Sequence, residues 1–323
     1  MNKTFLSAMV FCSCLSACAV SETEAVAGGS RKPESAAAAT MSAPAPAVKD
    51  VVYKTVNGQS LKLDLYRPSA QTRNAPLVVW IHGGAWKRGA KEDISRNSRL
   101  LNTLLADGYA VAAVGYRLSA EAVFPAQIQD INDAAEYLWR NSAQYGIDKN
   151  RIAMAGRSAG AHLAALAATA NTGTPPSFIT SAAAPDFRVG AMVGFFGPYD
   201  LIALSNGKNR NNSGQSPEGL LLGGAPHTRA AVARQASPVS HVGPGTPPVL
   251  LLHGTNDKNV PHAQSEAFKA RLDAAGIANE LYLAQGARHG DPVFDNEFYV
   301  GKVMAFLRKY FPARQTENTQ TNI

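Results

Sequence analysis

From Asp50 onward, two kinds of hydrophobic pattern alternate along the chain. Short runs of apolar and β-branched residues end at turn residues, which is typical of buried strands. Between them lie longer segments whose apolar residues recur every three or four positions, which predicts helices with one face against a core. The predicted strands are residues 51–56, 60–66, 77–81, 109–114, 152–155, 190–196, 249–252 and 280–283, and the predicted helices are 94–106, a segment after Pro125, 159–170, 263–275 and 297–311.

This order of elements predicts the fold class. Strand, crossover helix and strand in regular alternation form a mostly parallel central sheet with helices on both faces. Asn57 and Gly58 separate the first two strands and are a strong hairpin signal, so we expect an antiparallel N-terminal hairpin at the sheet edge. One α/β domain is expected over residues 49–313. Within it, residues 206–224 are rich in Asn, Gly and Ser, and we expect a small cap or lid there.

The N-terminal segment predicts a targeting signal. Lys3 precedes a short apolar run, and small residues then lead to Leu-Ser-Ala-Cys, which ends at Cys18. This layout is that of a secretory signal peptide over residues 1–18. The sequence Leu-Ser-Ala-Cys resembles a bacterial lipobox, which implies lipidation of Cys18. Because Ala19 rather than Asp follows, the resemblance also implies anchorage at the outer membrane of a Gram-negative cell. The alternative is an ordinary cleaved signal and a soluble periplasmic protein.

Composition removes several other possibilities. Residues 19–48 hold many alanines and no aromatic residue, which predicts a flexible tether, and the polar residues 314–323 predict a frayed tail.

The formal net charge of +7 is spread along the chain, so we expect no nucleic-acid partner and membrane contact only through the lipid anchor. All three cysteines precede residue 19, so the domain has no thiol for a disulfide, a zinc site or a nucleophile. The oligomeric state is not indicated.

A G-x-S-x-G motif spans residues 156–160 and contains Ser158. It lies between a predicted strand and a predicted helix, where a tight turn would expose the serine hydroxyl above the sheet. A serine hydroxyl needs a base to take its proton and a carboxylate to orient that base. Asp257 and His289 follow later strands, in loops at the same edge of the sheet. We therefore predict that Ser158, Asp257 and His289 act together, with Asp200 as the substitute acid.

A second motif, His82-Gly83-Gly84-Ala85-Trp86, follows the strand at 77–81. It resembles the H-G-G-G loop that supplies backbone N–H donors to an oxyanion. Gly84 and Ala85 would donate together with Ala159. Gly83 would allow a tight turn, and His82 would brace the loop by hydrogen bonding rather than act as a base.

On these motifs, residues 51–311 resemble the α/β-hydrolase superfamily, specifically its hormone-sensitive-lipase-like and feruloyl-esterase-like bacterial carboxylesterases. The resemblance implies an α/β-hydrolase fold and a serine carboxylesterase that hydrolyses small-molecule esters of small acyl or aryl acids through an acyl-enzyme, without metal or cofactor. Ala85 replaces the third glycine of the loop, and Arg157 replaces the Asp, Gly or His often found before the nucleophile. Further support comes from Tyr116-Arg117-Leu118-Ser119, Phe124-Pro125-Ala126 and Ser237-Pro238-Val239.

Two alternatives remain open. The run from Gly156 to Leu163 and the H-G-G-x-W loop also resemble arylformamidases, which implies an amidase acting on a formylated aromatic amine. A non-catalytic, hydrolase-like binding protein is the alternative from another class. Trp86 and Tyr199 are the candidate pocket walls, and Phe195 and Phe196 belong either to the pocket or to the core. Solvated surface charge is expected at Lys87, Arg88, Arg157 and Arg288.

Overall fold

The computed structural model describes residues 42–68, 72–171, 178–179, 188–206 and 212–313, and statements about structure refer to these residues. The predicted signal peptide, Cys18 and the predicted tail lie outside the described residues. So does most of the predicted tether. Among the helices that are described, none is long and apolar enough to cross a membrane.

An eight-stranded sheet forms the centre of the domain, with strand order β1-β2-β4-β3-β5-β6-β7-β8. The first two strands form an antiparallel hairpin, β2 also pairs antiparallel with β4, and the remaining neighbours are parallel. The predicted mostly parallel sheet with an antiparallel hairpin edge is therefore confirmed. Its strands are β1 (Val48–Val56), β2 (Gln59–Tyr66), β3 (Ala75–Ile81), β4 (Ala110–Val114), β5 (Ile147–Arg157), β6 (Val189–Phe195), β7 (Val249–Gly254) and β8 (Asn279–Ala284).

Turn chemistry explains the hairpin. Asn57 and Gly58 both have positive φ, 49° and 79°. A two-residue turn with positive φ at both positions matches the right-handed twist of the flanking strands. Asn and Gly adopt this conformation at little steric cost, so these two residues set the register of β1 against β2 next to the turn, from Val56–Gln59 to Lys54–Leu61.

Each of the five predicted helical segments is present. The described residues also form four short helices that were not predicted: Ser142–Tyr145, Leu201–Ser205, Pro217–Leu222 and Ala230–Gln235. The segment predicted at 94–106 is a 3-10 helix (Lys91–Asn97) followed by an α-helix (Ser98–Ala106). Residues 206–224 contain a short helix that their composition did not predict. Ser216 caps it by accepting from the Gly219 amide, and Gly223 ends it in the left-handed conformation. The helices are α1 (Ser98–Ala106), α2 (Ala126–Arg140), α3 (Ser142–Tyr145), α4 (Ala159–Ala170), α5 (Leu201–Ser205), α6 (Pro217–Leu222), α7 (Ala230–Gln235), α8 (Ala263–Ala274) and α9 (Glu297–Tyr310).

Each face of the sheet has its own hydrophobic core. Along β3, Leu77, Val79 and Ile81 point into the core that contains α2, α4 and α8. The alternate residues Val78 and Trp80 point into the core that contains α1 and α9. Because β3 is covered on both faces, it is a continuous apolar run rather than an alternating one. The same arrangement holds the carboxyl ends of β3, β5, β7 and β8 at one edge of the sheet.

Candidate active site

Ser158 lies on a strained turn between β5 and α4. Its φ is 52°, which is rare for a residue with a side chain and costs about 1–3 kcal/mol. The Ser158 amide donates to the Phe195 carbonyl of β6 at 2.8 Å, which fixes the turn to the sheet. Glycine is needed beside it, because a Cβ on Gly160 would lie 2.6 Å from the His82 carbonyl oxygen and still closer to that of Ile81.

A continuous hydrogen-bonded chain joins Ser158 to two loops at the carboxyl edge of the sheet. His289 Nε2 lies 2.9 Å from Ser158 Oγ, and His289 Nδ1 lies 2.6 Å from Asp257 Oδ2. The Ser158 hydroxyl donates to Nε2 when Nδ1–H donates to the carboxylate. His289 follows β8 and Asp257 follows β7, so the predicted trio meets although Ser158 and His289 are 131 residues apart.

Asp257 is a buried carboxylate held in place by several donors. Its Oδ1 accepts from the amides of Asn259 and Val260, both at 2.9 Å. Burial raises the pKa of Asp257, but hydrogen bonds from His253 and His289 outweigh it and hold the pKa well below its usual value. The carboxylate therefore stays ionised and can hold the Nδ1–H tautomer of His289.

His253 is a site residue whose position the sequence did not predict. It is fully buried, its Nε2 lies 2.8 Å from the Val260 carbonyl oxygen and 3.3 Å from Asp257 Oδ2, and its Nδ1 lies 2.7 Å from Ser265 Oγ. It helps to position the carboxylate of Asp257 and does not act as a base. The four-residue spacing between His253 and Asp257 was the available signal.

Asp200, the substitute acid, has a different task in the structure. Its Oδ1 accepts from the amides of Ile202 and Ala203 at 3.0 and 2.9 Å. It is therefore the N-cap of α5, whereas the acid hydrogen-bonded to His289 is Asp257.

The loop after β3 approaches the serine through its backbone. A Cβ on Gly83 would lie 2.9 Å from the Arg157 carbonyl oxygen and 3.4 Å from Ser158 Cβ, so only glycine permits this approach. Gly84 and Ala85 follow with positive φ, 112° and 57°. Ala159 is the first residue of α4, so its N–H has no partner within the helix. These backbone groups border the same cavity as Ser158.

His82 and its neighbours hold that loop. His82 is buried, its Nδ1 lies 2.7 Å from the Gly83 carbonyl oxygen, and its ring stacks on Tyr116 with centroids 4.3 Å apart. The Tyr116 hydroxyl donates to the His82 carbonyl at 3.0 Å. These contacts hold His82 against the loop and Tyr116.

Trp86 connects the same loop to α4. It is almost fully buried, borders the cavity, and donates from Nε1 to His162 Nδ1 at 3.2 Å. His162 Nε2–H in turn donates to the Ala236 carbonyl at 2.6 Å. His162 must be neutral to accept from Trp86 while donating to Ala236, and burial lowers its pKa to about 4.

Acid is therefore expected to destabilise the protein through His162. The unfolded chain takes up a proton near pH 6.5, whereas the folded protein resists it until about pH 4. The stabilisation is present above pH 6.5 and is lost as the pH falls to about 4, a change of about 3 kcal/mol in the free energy of unfolding. Urea titrations of wild type and His162→Gln across this range measure it. His82, whose pKa burial also lowers, adds to the loss in both proteins. An equal loss in wild type and variant would contradict the assignment.

The site opens into a cavity of about 1010 Å³. Phe196 borders it and places its ring 4.8 Å from that of His289, whereas Phe195 is buried against Trp80. The α6 helix contributes Pro217 and Glu218 to the wall. The segment at 206–224 therefore reaches the site.

Two sequence expectations about the cavity wall are wrong. Tyr199 is fully buried, stacks on Phe268 at 4.6 Å and is absent from the described wall. Small residues explain this, because Gly194 and Gly197 leave room for its ring beneath the strand end. Arg157 is half-buried in the cavity wall rather than solvated, whereas Lys87, Arg88 and Arg288 are exposed.

No group of three or more His, Cys, Asp or Glu side chains in the described part of the chain is placed to hold a metal ion.

Comparison with known proteins agrees with this architecture. The sequence model of the BD-FAE family matches residues 63–272. Esterase LipQ of Mycobacterium tuberculosis is 33% identical over 237 residues, covering 72% of this chain and 54% of LipQ, so the chain spans about half the length of this relative. A truncated carbohydrate esterase from gut microbiota superposes with a TM-score of 0.72 at 29% identity, covering 84% of this chain and 98% of that one. Esterase 2 of Thermogutta terrifontis gives a TM-score of 0.69 at 23% identity, with coverages of 84% and 98%. The α/β-hydrolase fold is confirmed.

Proposed function

The chain belongs to the BD-FAE family, and we propose that it is a serine carboxylesterase that hydrolyses esters of small acyl or aryl acids through an acyl-enzyme. The observation that carries this proposal is the position of His289, with one ring nitrogen 2.9 Å from Ser158 Oγ and the other 2.6 Å from Asp257. This arrangement lets one imidazole accept the serine proton and keep its charged form stabilised. The relatives named as esterases favour ester bonds as the substrate.

In the proposed reaction, Ser158 Oγ attacks the ester carbonyl as its proton passes to His289 Nε2. The tetrahedral intermediate collapses, the C–O bond to the alcohol breaks, and His289 returns the proton to the leaving oxygen. Water then attacks the acyl-enzyme with His289 again as the base, which releases the acid and restores Ser158. Asp257 orients the imidazole and stabilises its positive charge throughout.

The negative charge on the carbonyl oxygen needs donors on the opposite side from His289. The backbone amides of Gly84, Ala85 and Ala159 are proposed for this role, since the loop after β3 and the start of α4 border the cavity beside Ser158. One such donor contributes roughly 3 kcal/mol to the transition state.

A substrate panel tests the proposal on the wild-type protein. We expect p-nitrophenyl acetate, p-nitrophenyl butyrate and methyl ferulate to be hydrolysed with kcat/KM well above that for N-formylkynurenine. An aryl organophosphate should inactivate the enzyme, and peptide mass spectrometry should find the adduct on Ser158. A preference for N-formylkynurenine would replace the ester assignment with the formamidase alternative. Inactivation with the label on another residue would remove the serine assignment.

The N-terminal anchor is a separate proposal. We propose that Cys18 is lipidated and holds the enzyme at the outer membrane. Its support is the Leu-Ser-Ala-Cys sequence with Ala19 after it. Mass spectrometry of the mature N-terminus distinguishes a lipidated Cys18 from an unmodified terminus further along the chain, which would leave the protein soluble in the periplasm.

A further inference from the structure

Arg157, the residue before Ser158 in the sequence, borders the cavity. Its Nη1 donates to Asn97 Oδ1 at 2.8 Å, and its Cζ lies 5.0 Å from the ring centre of Phe196. Burial lowers the pKa of Arg157 to about 10, so the group remains cationic at neutral pH. A guanidinium has five N–H donors, and the bond to Asn97 uses one of them.

Arg157 has no carboxylate partner among the residues that the structure describes. The contrast with Arg117 is clear, because Arg117 binds both oxygens of Asp130 at 2.7 Å. Asp295 attracts Arg157 at longer range, but its two oxygens accept from the amides of Arg99 and Leu100. A carboxylate on a bound ligand would form the close ion pair that no described residue forms with Arg157.

The group next to Arg157 also lacks an acceptor. Asn97 is buried, and its Nδ2 has no hydrogen-bond partner. The pair formed by Arg157 and Asn97 therefore has more donors than acceptors, and both residues border the cavity. Such an imbalance is what an oxygen-rich anion would correct.

Basic side chains outnumber acidic ones in the cavity wall. Of its two acidic wall residues, Asp93 is paired with Arg96 at 3.1 Å and Glu218 is buried. A positive wall concentrates anionic ligands at the site. The basic wall residues in the described chain are Lys87, Arg88, Arg96, Arg157 and Lys258.

We propose that Arg157 binds a carboxylate on the alcohol part of the substrate, so that the preferred esters are those of carboxylate-bearing alcohols or phenols. This proposal rests on the esterase function proposed above. The alcohol side is indicated by Phe196, whose ring contacts both the guanidinium and the imidazole of His289. His289 gives its proton to the leaving alcohol, so Arg157 lies on the leaving-group side. The planar guanidinium matches the two oxygens of a carboxylate.

Two matched esters test the subsite: 4-acetoxybenzoate, which carries a carboxylate on the leaving group, and the neutral 4-acetoxybenzamide. The readout is the ratio of their kcat/KM values, charged over neutral. In Arg157→Gln this ratio is expected to fall about tenfold below wild type, because a charge-assisted hydrogen bond to the substrate is lost. Arg157→Lys keeps the charge and should retain part of the preference. Because the ratio for each variant is compared with the ratio for wild type, the different intrinsic reactivities of the two esters cancel.

Asn97→Asp is a second variant that keeps Arg157 in place. It gives the guanidinium an internal carboxylate at almost unchanged side-chain volume, so it should lower the same ratio by competing with the substrate. Arg96→Gln is the matched control within the cavity wall, since Arg96 is exposed and already paired with Asp93. Arg308→Gln is the control outside it, because Arg308 pairs with Asp107 on the surface. Arg308→Gln should keep the wild-type ratio, and Arg96→Gln should lower it by less than Arg157→Gln does.

Inhibition of the wild type gives an independent measurement. Against p-nitrophenyl acetate, 4-hydroxybenzoate should inhibit about tenfold more tightly than 4-hydroxybenzamide. Equal inhibition, or an unchanged ratio in Arg157→Gln and Asn97→Asp, would overturn the subsite while leaving the esterase function intact. An equal fall in Arg96→Gln would assign the preference to the general field and also overturn it. Hydrolysis of neither ester, nor of p-nitrophenyl acetate, would instead remove the esterase function.

Discussion

Ser158→Ala is expected to lower kcat for p-nitrophenyl acetate by about a millionfold, with KM little changed. The hydroxyl of Ser158 is the atom to which His289 Nε2 is hydrogen-bonded, at 2.9 Å. Without it no acyl-enzyme can form, and what remains is the activation of water by the imidazole and the oxyanion donors. Alanine has the same Cβ as serine, so the positive φ of 52° is no more strained in the variant. Single-turnover kinetics with burst analysis would measure the loss.

The control for this variant is Ser240→Ala, at an exposed serine that ends a short 3-10 helix. It should hydrolyse the ester at the wild-type rate. The melting temperature of Ser158→Ala should match that of wild type within a few degrees, which excludes unfolding as the cause of lost activity. Hydrolysis at the wild-type rate by folded Ser158→Ala would contradict the proposed mechanism.

Asp257→Asn is expected to lower kcat by about ten-thousandfold. Asp257 Oδ2 accepts from His289 Nδ1–H at 2.6 Å. The amide nitrogen of asparagine at this position would itself be a donor, so the imidazole would favour the opposite tautomer, with the proton on Nε2. Nε2 would then face Ser158 as a donor and could not accept the serine proton. The pH profiles of kcat for Asp257→Asn and for wild type, recorded side by side, would measure the loss of activity.

Asp200→Asn is a matched control, because it makes the same chemical change at the other candidate acid. Asparagine is as good an N-cap as aspartate, so α5 should persist and kcat should stay at the wild-type value. The reverse pattern, with activity lost in Asp200→Asn and retained in Asp257→Asn, would show that the orienting acid is misassigned.

Agreement between sequence and fold is strongest where neighbouring residues decide the conformation. The hairpin at Asn57-Gly58 depends on two residues that tolerate positive φ. The β3 strand is apolar throughout because helices cover both of its faces. The α6 helix was missed because its capping residues, Ser216 and Gly223, lie in a segment whose overall composition is that of a loop. The average composition of a segment does not reveal capping residues, because each of them acts at a single position.

The cavity wall was predicted less well. Tyr199 follows a strand at the edge where ligands bind, yet the space left by Gly194 and Gly197 lets its ring enter the core. Arg157 was expected to be solvated because most arginines are, but the turn at Ser158 directs it into the cavity wall. No sequence motif predicts the role of His253, apart from its four-residue spacing from Asp257. Tyr199 also stacks on Phe268 and Arg157 donates to Asn97, so these two positions depend in addition on residues distant in sequence.

The amino-acid sequence alone determined the alternation of strands and helices, the hairpin edge, the glycines around Ser158 and the chemical types available for a site, because these are properties of short segments. The tertiary structure decided which acid and which histidine reach Ser158, since β5, β6, β7 and β8 lie side by side and bring separate loops to one edge. It also decided that Arg157 lies in the cavity wall without a carboxylate partner in the described chain. Burial and pairing depend on the packing of the whole domain, and no local pattern contains that information.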